Sequence, residues 1–309
     1  MEALLIFLFA IIAAILFNVA VFLEKIGVDK MPKLTEGFSL KLLRQFITNV
    51  PWITGMLLGI VGGVFYMTAM AEGNLSLIQV IANWGIIVLV ILSVKYLGER
   101  LTPMEWAGIL VSLAGVTLVA ITFEKSTPHP FDWMTYILTI GVLMVIGIGM
   151  YIYGLKGKKG SEVGFGLAAG SMFSVGAIST KALTVVVLQY TGEFNLMSRV
   201  TWSALKYPDV IGLIIVLALA NIVGFAWFQV GIQAGRATIV GSVNGVTVSV
   251  IPIIAGVLIF GESLLATMFS GILQYTRIAG IILTLGGTAV MYVFSAEMEQ
   301  KFAKTKEKK

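Results

Sequence analysis

The chain has 309 residues, 58% of them hydrophobic and only 12% charged, with a mean hydropathy of +0.97. Soluble domains carry about 25% charged residues, so this composition excludes a soluble fold and marks a membrane protein. The net charge of +5 does not signal a nucleic-acid partner, because the basic residues sit in short connections beside apolar segments.

A helix needs about 20 apolar residues to cross the hydrocarbon core. Nine segments qualify, in chain order: Leu4 to Leu23, Ile53 to Met70, Leu75 to Val94, Trp106 to Phe123, Met134 to Leu155, Val163 to Tyr190, Val210 to Ile232, Ala237 to Phe260, and Ile278 to Phe294. The first is not read as a cleaved leader, since it lacks a basic start and runs into Glu24-Lys25 instead of a small-residue cleavage site. Between spans one and two, Gly37 to Val50 interleaves Phe38, Leu42, Leu43 and Phe46 with Lys41, Arg44 and Gln45. It reads as an amphipathic interfacial helix; if it crosses instead, there are ten spans. Ser126 to Asp132 is a Pro-rich turn, Thr191 to Asp209 a longer loop, and the tail from Glu297 a solvated Lys/Glu run.

Of the 21 lysines and arginines, sixteen fall on one side of this threading and four on the other (Lys125, Arg199, Lys206 and Arg277), with Lys181 inside a span. Basic residues near span ends stay in the cytoplasm, so the C-terminus is expected inside. Compactness and the lack of a transit signal point to a prokaryotic plasma membrane.

The chain also matches itself. Glu105-Trp-Ala-Gly-Ile-Leu-Val-Ser-Leu-Ala-Gly115 reappears as Arg277-Ile-Ala-Gly-Ile-Ile-Leu-Thr-Leu-Gly-Gly287, and Leu97-Gly-Glu99 upstream matches Phe260-Gly-Glu262. By the charge count the two Gly-Glu turns lie on opposite sides of the membrane. Similar segments of opposite orientation form an inverted repeat, the construction that lets a carrier open to either side in turn. The expected fold class is therefore all-α integral membrane, with residues 1–125 as the first repeat (spans one to four), 126–296 as the second (spans five to nine), and 297–309 as a charged cytoplasmic tail.

The order of span, Gly-Glu turn and Ala-Gly-rich span, occurring twice, resembles the drug/metabolite transporter superfamily with its EamA-type repeats. Within it, the short first repeat, the run Ala71 to Gly98 followed by Glu99-Arg100, and Ser179-Thr180-Lys181 are similar to the nine-span NIPA-like branch. That resemblance implies magnesium transport. One departure is Gln79-Val80-Ile81, where relatives often place a proline; the second repeat keeps Pro252.

Transport sites near the midplane need polar groups or broken helices, both costly in lipid. Lys181 lies roughly 13 Å inside its span at helical rise. It reads as a counter-charge for an anionic substrate, as a proton carrier, or as a structural lysine bonded to helix-end carbonyls. Gln79 and Asn83 in span three and Asn244 in span eight could face a substrate or only a neighbouring helix. Trp84 could wall an organic substrate or pack, Pro252 could free a carbonyl at a gate or only kink its helix, and Glu99 and Glu262 read as turn caps or gate contacts. No phosphate-binding loop is present, so ATP-driven transport within the chain is not expected. The sequence holds no cysteine and one histidine, His129, so no thiolate or multi-histidine chemistry is available. No enzymatic activity and no cofactor are expected.

All sixteen acidic residues fall at span ends or in loops, with Glu24 and Glu72 nearest the interior, and the one intramembrane charge is positive. A bare divalent cation usually needs a carboxylate, so the residues favour a secondary carrier of small organic metabolites working by alternating access. The alternative is a divalent-cation permease that passes hydrated magnesium, with Glu24 or Glu72 as metal-facing groups at its mouths. A scaffold or receptor that transports nothing is the third reading. The expected partners are a small-molecule or ion substrate and the lipid bilayer, and a homodimer is compatible with the sequence.

Overall fold

The computed structural model describes residues 2–34, 40–72, 81–121, 131–157, 160–192, 198–261 and 275–306. Every regular element among them is a helix: α1 (Glu2–Val28), α2 (Leu40–Thr48), α3 (Val50–Glu72), α4 (Ile86–Leu92), α5 (Pro103–Ile121), α6 (Trp133–Leu155), α7 (Ser161–Thr191), α8 (Arg199–Trp202), α9 (Pro208–Ala234), α10 (Ala237–Phe260) and α11 (Thr276–Lys306). Among the described residues, five helices are long and apolar enough to cross a bilayer, and four shorter apolar ones accompany them. The protein is an all-α, multi-pass membrane protein. Its outward faces fit that setting: Met134, Ile137, Leu138 and Val145 of α6 are exposed, a band that lipid covers and water would not tolerate. The nine-residue α2 is only about 14 Å long and cannot cross the ~30 Å hydrocarbon core. It lays Phe46 edge-on against Trp52 of α3.

The centre of the bundle is set by which helices bury themselves. In α7 and α10, 56% and 50% of the spanning residues are buried, against 22% in α6 and α9, so the first two are the inner posts and the others face lipid. Helix α1 packs on α3, α7 on α6, α9 and α10, and α5 on α11. Small residues permit these approaches, the usual device in membranes, where apolar surface alone does not drive association. The α5–α11 contact is antiparallel and reciprocal. A Cβ on Gly108 would meet the Gly287 carbonyl at 2.8 Å, and one on Gly280 would meet the Gly115 carbonyl at the same distance. At the crossing between them, the Ser112 hydroxyl donates to the Thr284 carbonyl at 3.2 Å.

Local sequence sets the helix ends. Asp132 caps α6 through Met134 N–H and the Thr135 hydroxyl, and Pro208 starts α9 where no backbone donor is required. Thr102 and Glu105 form a reciprocal capping box on α5, at 3.1 and 2.7 Å. Gly98 and Gly261, the glycines of the two Gly-Glu turns, both take the left-handed conformation, with φ of +67° and +64°. This explains why the turn begins with glycine each time: only a residue without Cβ adopts that cap at no cost.

Candidate functional site

Helices α1, α4, α5 and α10, with Phe228 of α9, enclose a cavity of about 260 Å³. Its polar lining comes from Asn18 of α1, Asn83 just before α4, Ser112 of α5, and Ser242 and Asn244 of α10. Its apolar walls include Phe17, Val21, Leu89, Leu113 and Phe228. The described lining contains no charged side chain.

Two of these residues carry a buried polar atom. The Ser242 hydroxyl oxygen and the Asn244 side-chain carbonyl oxygen are buried and have no hydrogen-bond partner. Orphaned polar atoms are uncommon in folded proteins and each costs about 1–3 kcal/mol. Asn18 donates one side-chain N–H to the Ala14 carbonyl at 2.8 Å. Asn83 accepts from Ser249 of α10 at 3.3 Å, so the α4 and α10 sides of the cavity are joined.

One end of the bundle is closed beyond this cavity. Arg236, in the joint between α9 and α10, bonds both carboxylate oxygens of Glu162 and one of Glu105, the latter at 2.8 Å, together with the Arg100 carbonyl at 2.9 Å. The Glu105 side chain is fully buried and that of Glu162 nearly so. Burial alone would lower the basicity of Arg236, but the bonds to Glu162 and then Glu105 hold the guanidinium above its ordinary value. Glu99 caps α10 from outside that helix, accepting from Ala237 N–H at 2.7 Å, Thr238 N–H at 3.2 Å and the Thr238 hydroxyl at 2.6 Å. Gln233 and Lys25 complete the seal. The Gln233 amide bridges Val28, Pro32 and Leu34, and Lys25 donates to Asp29 and to the Gly235 carbonyl.

Between the sealed end and the cavity lies Glu24, one turn beyond Val21 on α1 and 5% exposed. Its carboxyl accepts from the Gln229 amide at 2.5 Å, and Gln229 accepts in turn from the Trp52 indole N–H at 3.2 Å.

The residues expected from sequence therefore separate. Asn83 and Asn244, from different halves of the chain, meet in the cavity. Glu99 is a cap, at the sealed end. Lys181 lies outside the lining, half-buried with its ammonium 4.5 Å from the centre of the Phe260 ring. Trp84 is 42% exposed and donates to Thr117 at 3.0 Å, also outside the lining. Pro252 sits inside α10, where it cannot donate to the carbonyl of Val248. Gln79, Glu262 and His129, and the side chain of Glu72, lie outside the described residues. Sequence reasoning missed Asn18, Ser242 and the Arg236–Glu162–Glu105 cluster. The spacing Thr102-x-x-Glu105 announces a capping box, but no local pattern links it to Arg236 or Glu162.

The chain is similar to NIPA-named proteins. It is 26% identical over 260 residues to the Arabidopsis thaliana protein named "Probable magnesium transporter NIPA9", a match covering 80% of this chain and 71% of that one. It is 24% and 25% identical to the human and mouse proteins named "NIPA-like protein 2", each covering 72% of this chain. The chain spans 58% of the length of those two relatives. No protein-family model matches, and no solved structure matches. The similarity to a named transporter favours a role in transport.

Proposed function

We propose that this protein is a secondary permease for magnesium or another divalent cation, passing it through the cavity between α1, α4, α5 and α10. The observation that carries the reading is a cavity between helices from both halves of the chain whose polar lining residues are Asn18, Asn83, Ser112, Ser242 and Asn244. Divalent hard cations take oxygen ligands. The similarity to a protein named as a magnesium transporter supports the same choice.

In this reading the five long and four shorter apolar helices are nine spans. The chain is a member of the drug/metabolite transporter superfamily through its NIPA-like branch, with 1–125 and 126–296 as inverted repeats and 297–309 as a tail. The reciprocal contact of Gly108 with Gly287 and of Gly115 with Gly280 supports that symmetry, because equivalent positions of the two matched segments exchange partners. The lysine and arginine distribution supports a cytoplasmic C-terminus and a cytoplasmic Arg236 end. The ion cluster is then the closed inner gate of an alternating-access cycle.

A second reading, a carrier of small organic metabolites, is favoured by the Phe17, Phe228, Leu89 and Leu113 walls, which suit an apolar group. The two readings part in one experiment. A ligand that binds only the folded protein raises its melting temperature, so the purified protein is melted against magnesium and a panel of amino acids, organic acids, nucleosides and amines. Stabilisation by magnesium that is lost in Asn244→Leu supports the permease. Stabilisation by an organic compound alone contradicts it.

A further inference from the structure

We propose that the crevice between α6, α7 and α11 binds one acyl chain of an anionic phospholipid, whose headgroup phosphate rests at Lys156. The site lies apart from the cavity between α1, α4, α5 and α10 and does not depend on which substrate crosses the membrane.

Packing leaves this crevice open. Helix α6 packs on α7 and α11 packs on α5, so α6 and α11 flank a gap whose floor is the start of α7. The gap measures about 410 Å³ and is walled by Met150 and Tyr153 of α6, Gly164 and Leu167 of α7, and Thr288 and Ala289 of α11. Gly164 draws α6 close, since a Cβ there would meet the Tyr153 ring at 2.9 Å and the Met150 carbonyl at 3.1 Å. On the opposite wall Ala289 is small and exposed, and the gap opens sideways past it. Leu285 and Val293, one turn to either side of Ala289, are exposed, as is Ile146, one turn before Met150. Large apolar side chains around the mouth place it against hydrocarbon.

The chemistry of the lining selects the occupant. The described lining holds no charged group, and the Thr288 hydroxyl is already spent on the Thr284 carbonyl at 2.9 Å. A polar ligand would lose its water there without compensation, whereas an acyl chain supplies the missing van der Waals contacts. A chain that enters exchanges one apolar surrounding for another, so it contributes packing, and preference among lipids comes from the headgroup. Lys156 follows Tyr153 within one helical turn, caps the end of α6 and is exposed. Lys158 and Lys159 come next in the sequence. Glu162, adjoining Val163 of the lining, does not oppose an anion, because Arg236 bonds both of its carboxylate oxygens. Basic groups at the mouth of an interhelical gap are the arrangement that holds anionic headgroups.

The test melts the delipidated full-length protein in detergent with added dioleoyl-phosphatidylglycerol or dioleoyl-phosphatidylcholine, which share acyl chains and differ in headgroup charge. A lipid that binds the folded protein raises the melting temperature. Phosphatidylglycerol is expected to act at a half-maximal concentration roughly fivefold lower than phosphatidylcholine, the factor that one basic residue supplies beside an anionic lipid. Lys156→Glu is expected to erase that difference. Ala289→Phe, which extends an exposed side chain into the gap, is expected to weaken stabilisation by both lipids while the variant still melts cooperatively. Equal half-maximal concentrations for the two lipids in the wild type, or a preference undiminished in Lys156→Glu, overturns the headgroup site. Stabilisation unchanged in Ala289→Phe overturns the crevice as the place of the chain. A wild-type dimer that becomes a monomer in Ala289→Phe, read by light scattering, assigns the crevice to a second copy of the chain and overturns the lipid site as well.

Discussion

Arg236 holds Glu105 at 2.8 Å although 131 residues separate them, and the same guanidinium holds Glu162 at 2.9 Å. One cation at the α9–α10 joint thus fastens the start of α5 to the start of α7. Removing it leaves two buried carboxylates without their partner, and breaking a buried pair in this way costs about 3–5 kcal/mol. Arg236→Met is therefore expected to lower the thermal stability of the detergent-solubilised protein sharply. Adding Glu162→Gln to that variant restores part of the loss, because one stranded charge is removed. A single variant as stable as wild type shows that the cluster holds nothing together.

Helix α10 has no side-chain cap of its own and borrows one from Glu99. Glu99→Ala exposes its first N–H groups to an apolar surrounding and is expected to destabilise by about 1–2 kcal/mol. Hydrogen exchange at Ala237 and Thr238 reads this locally. Protection there unchanged in the variant contradicts the capping role.

The α5–α11 crossing makes a paired prediction from glycine alone. Gly115→Ala forces a Cβ against the Thr284 N–H and the Gly280 carbonyl, within 2.6 Å, so the two helices must separate. Overpacking of this kind costs about 1–3 kcal/mol. Gly63→Ala on α3 meets nothing within 4 Å and is expected to be neutral or to stabilise by up to about 1 kcal/mol through helix propensity. Equal melting temperatures for the two variants refute the close crossing.

Lys181 and Asn244 separate the two substrate readings. The ammonium of Lys181 is placed over Phe260 and away from the cavity lining, so Lys181→Met is expected to retain most of the magnesium flux, whereas Asn244→Leu loses it. The reverse order places the transport path beside α7 and Phe260 instead.

Much of the fold was legible because apolar length is a one-dimensional signal. The segment Ala237 to Phe260 coincides with α10, and Met134 to Leu155 with α6 to within one residue. Helix α1 runs five residues past Leu23, through Glu24 and Lys25, because those side chains find partners in Gln229, Asp29 and the Gly235 carbonyl instead of ending the helix. The site was half legible. Asn83 and Asn244 stood out as amides in apolar runs. Ser242 did not, since serine in a membrane helix usually satisfies itself on the preceding turn, as Ser174 and Ser179 do here. Lys181 drew notice for its charge, which measures cost and not position. Arg236, Glu105 and Glu162 resembled ordinary span-end charges, and nothing local in the sequence says that they converge.

The central claim is that the cavity between α1, α4, α5 and α10 carries a divalent cation, and the most direct test is magnesium uptake into proteoliposomes containing the wild-type protein, Asn244→Leu and Lys181→Met. The account predicts uptake by wild type and Lys181→Met, and its loss in an Asn244→Leu variant that still melts cooperatively. Uptake undiminished in Asn244→Leu, or none in the wild type, contradicts it.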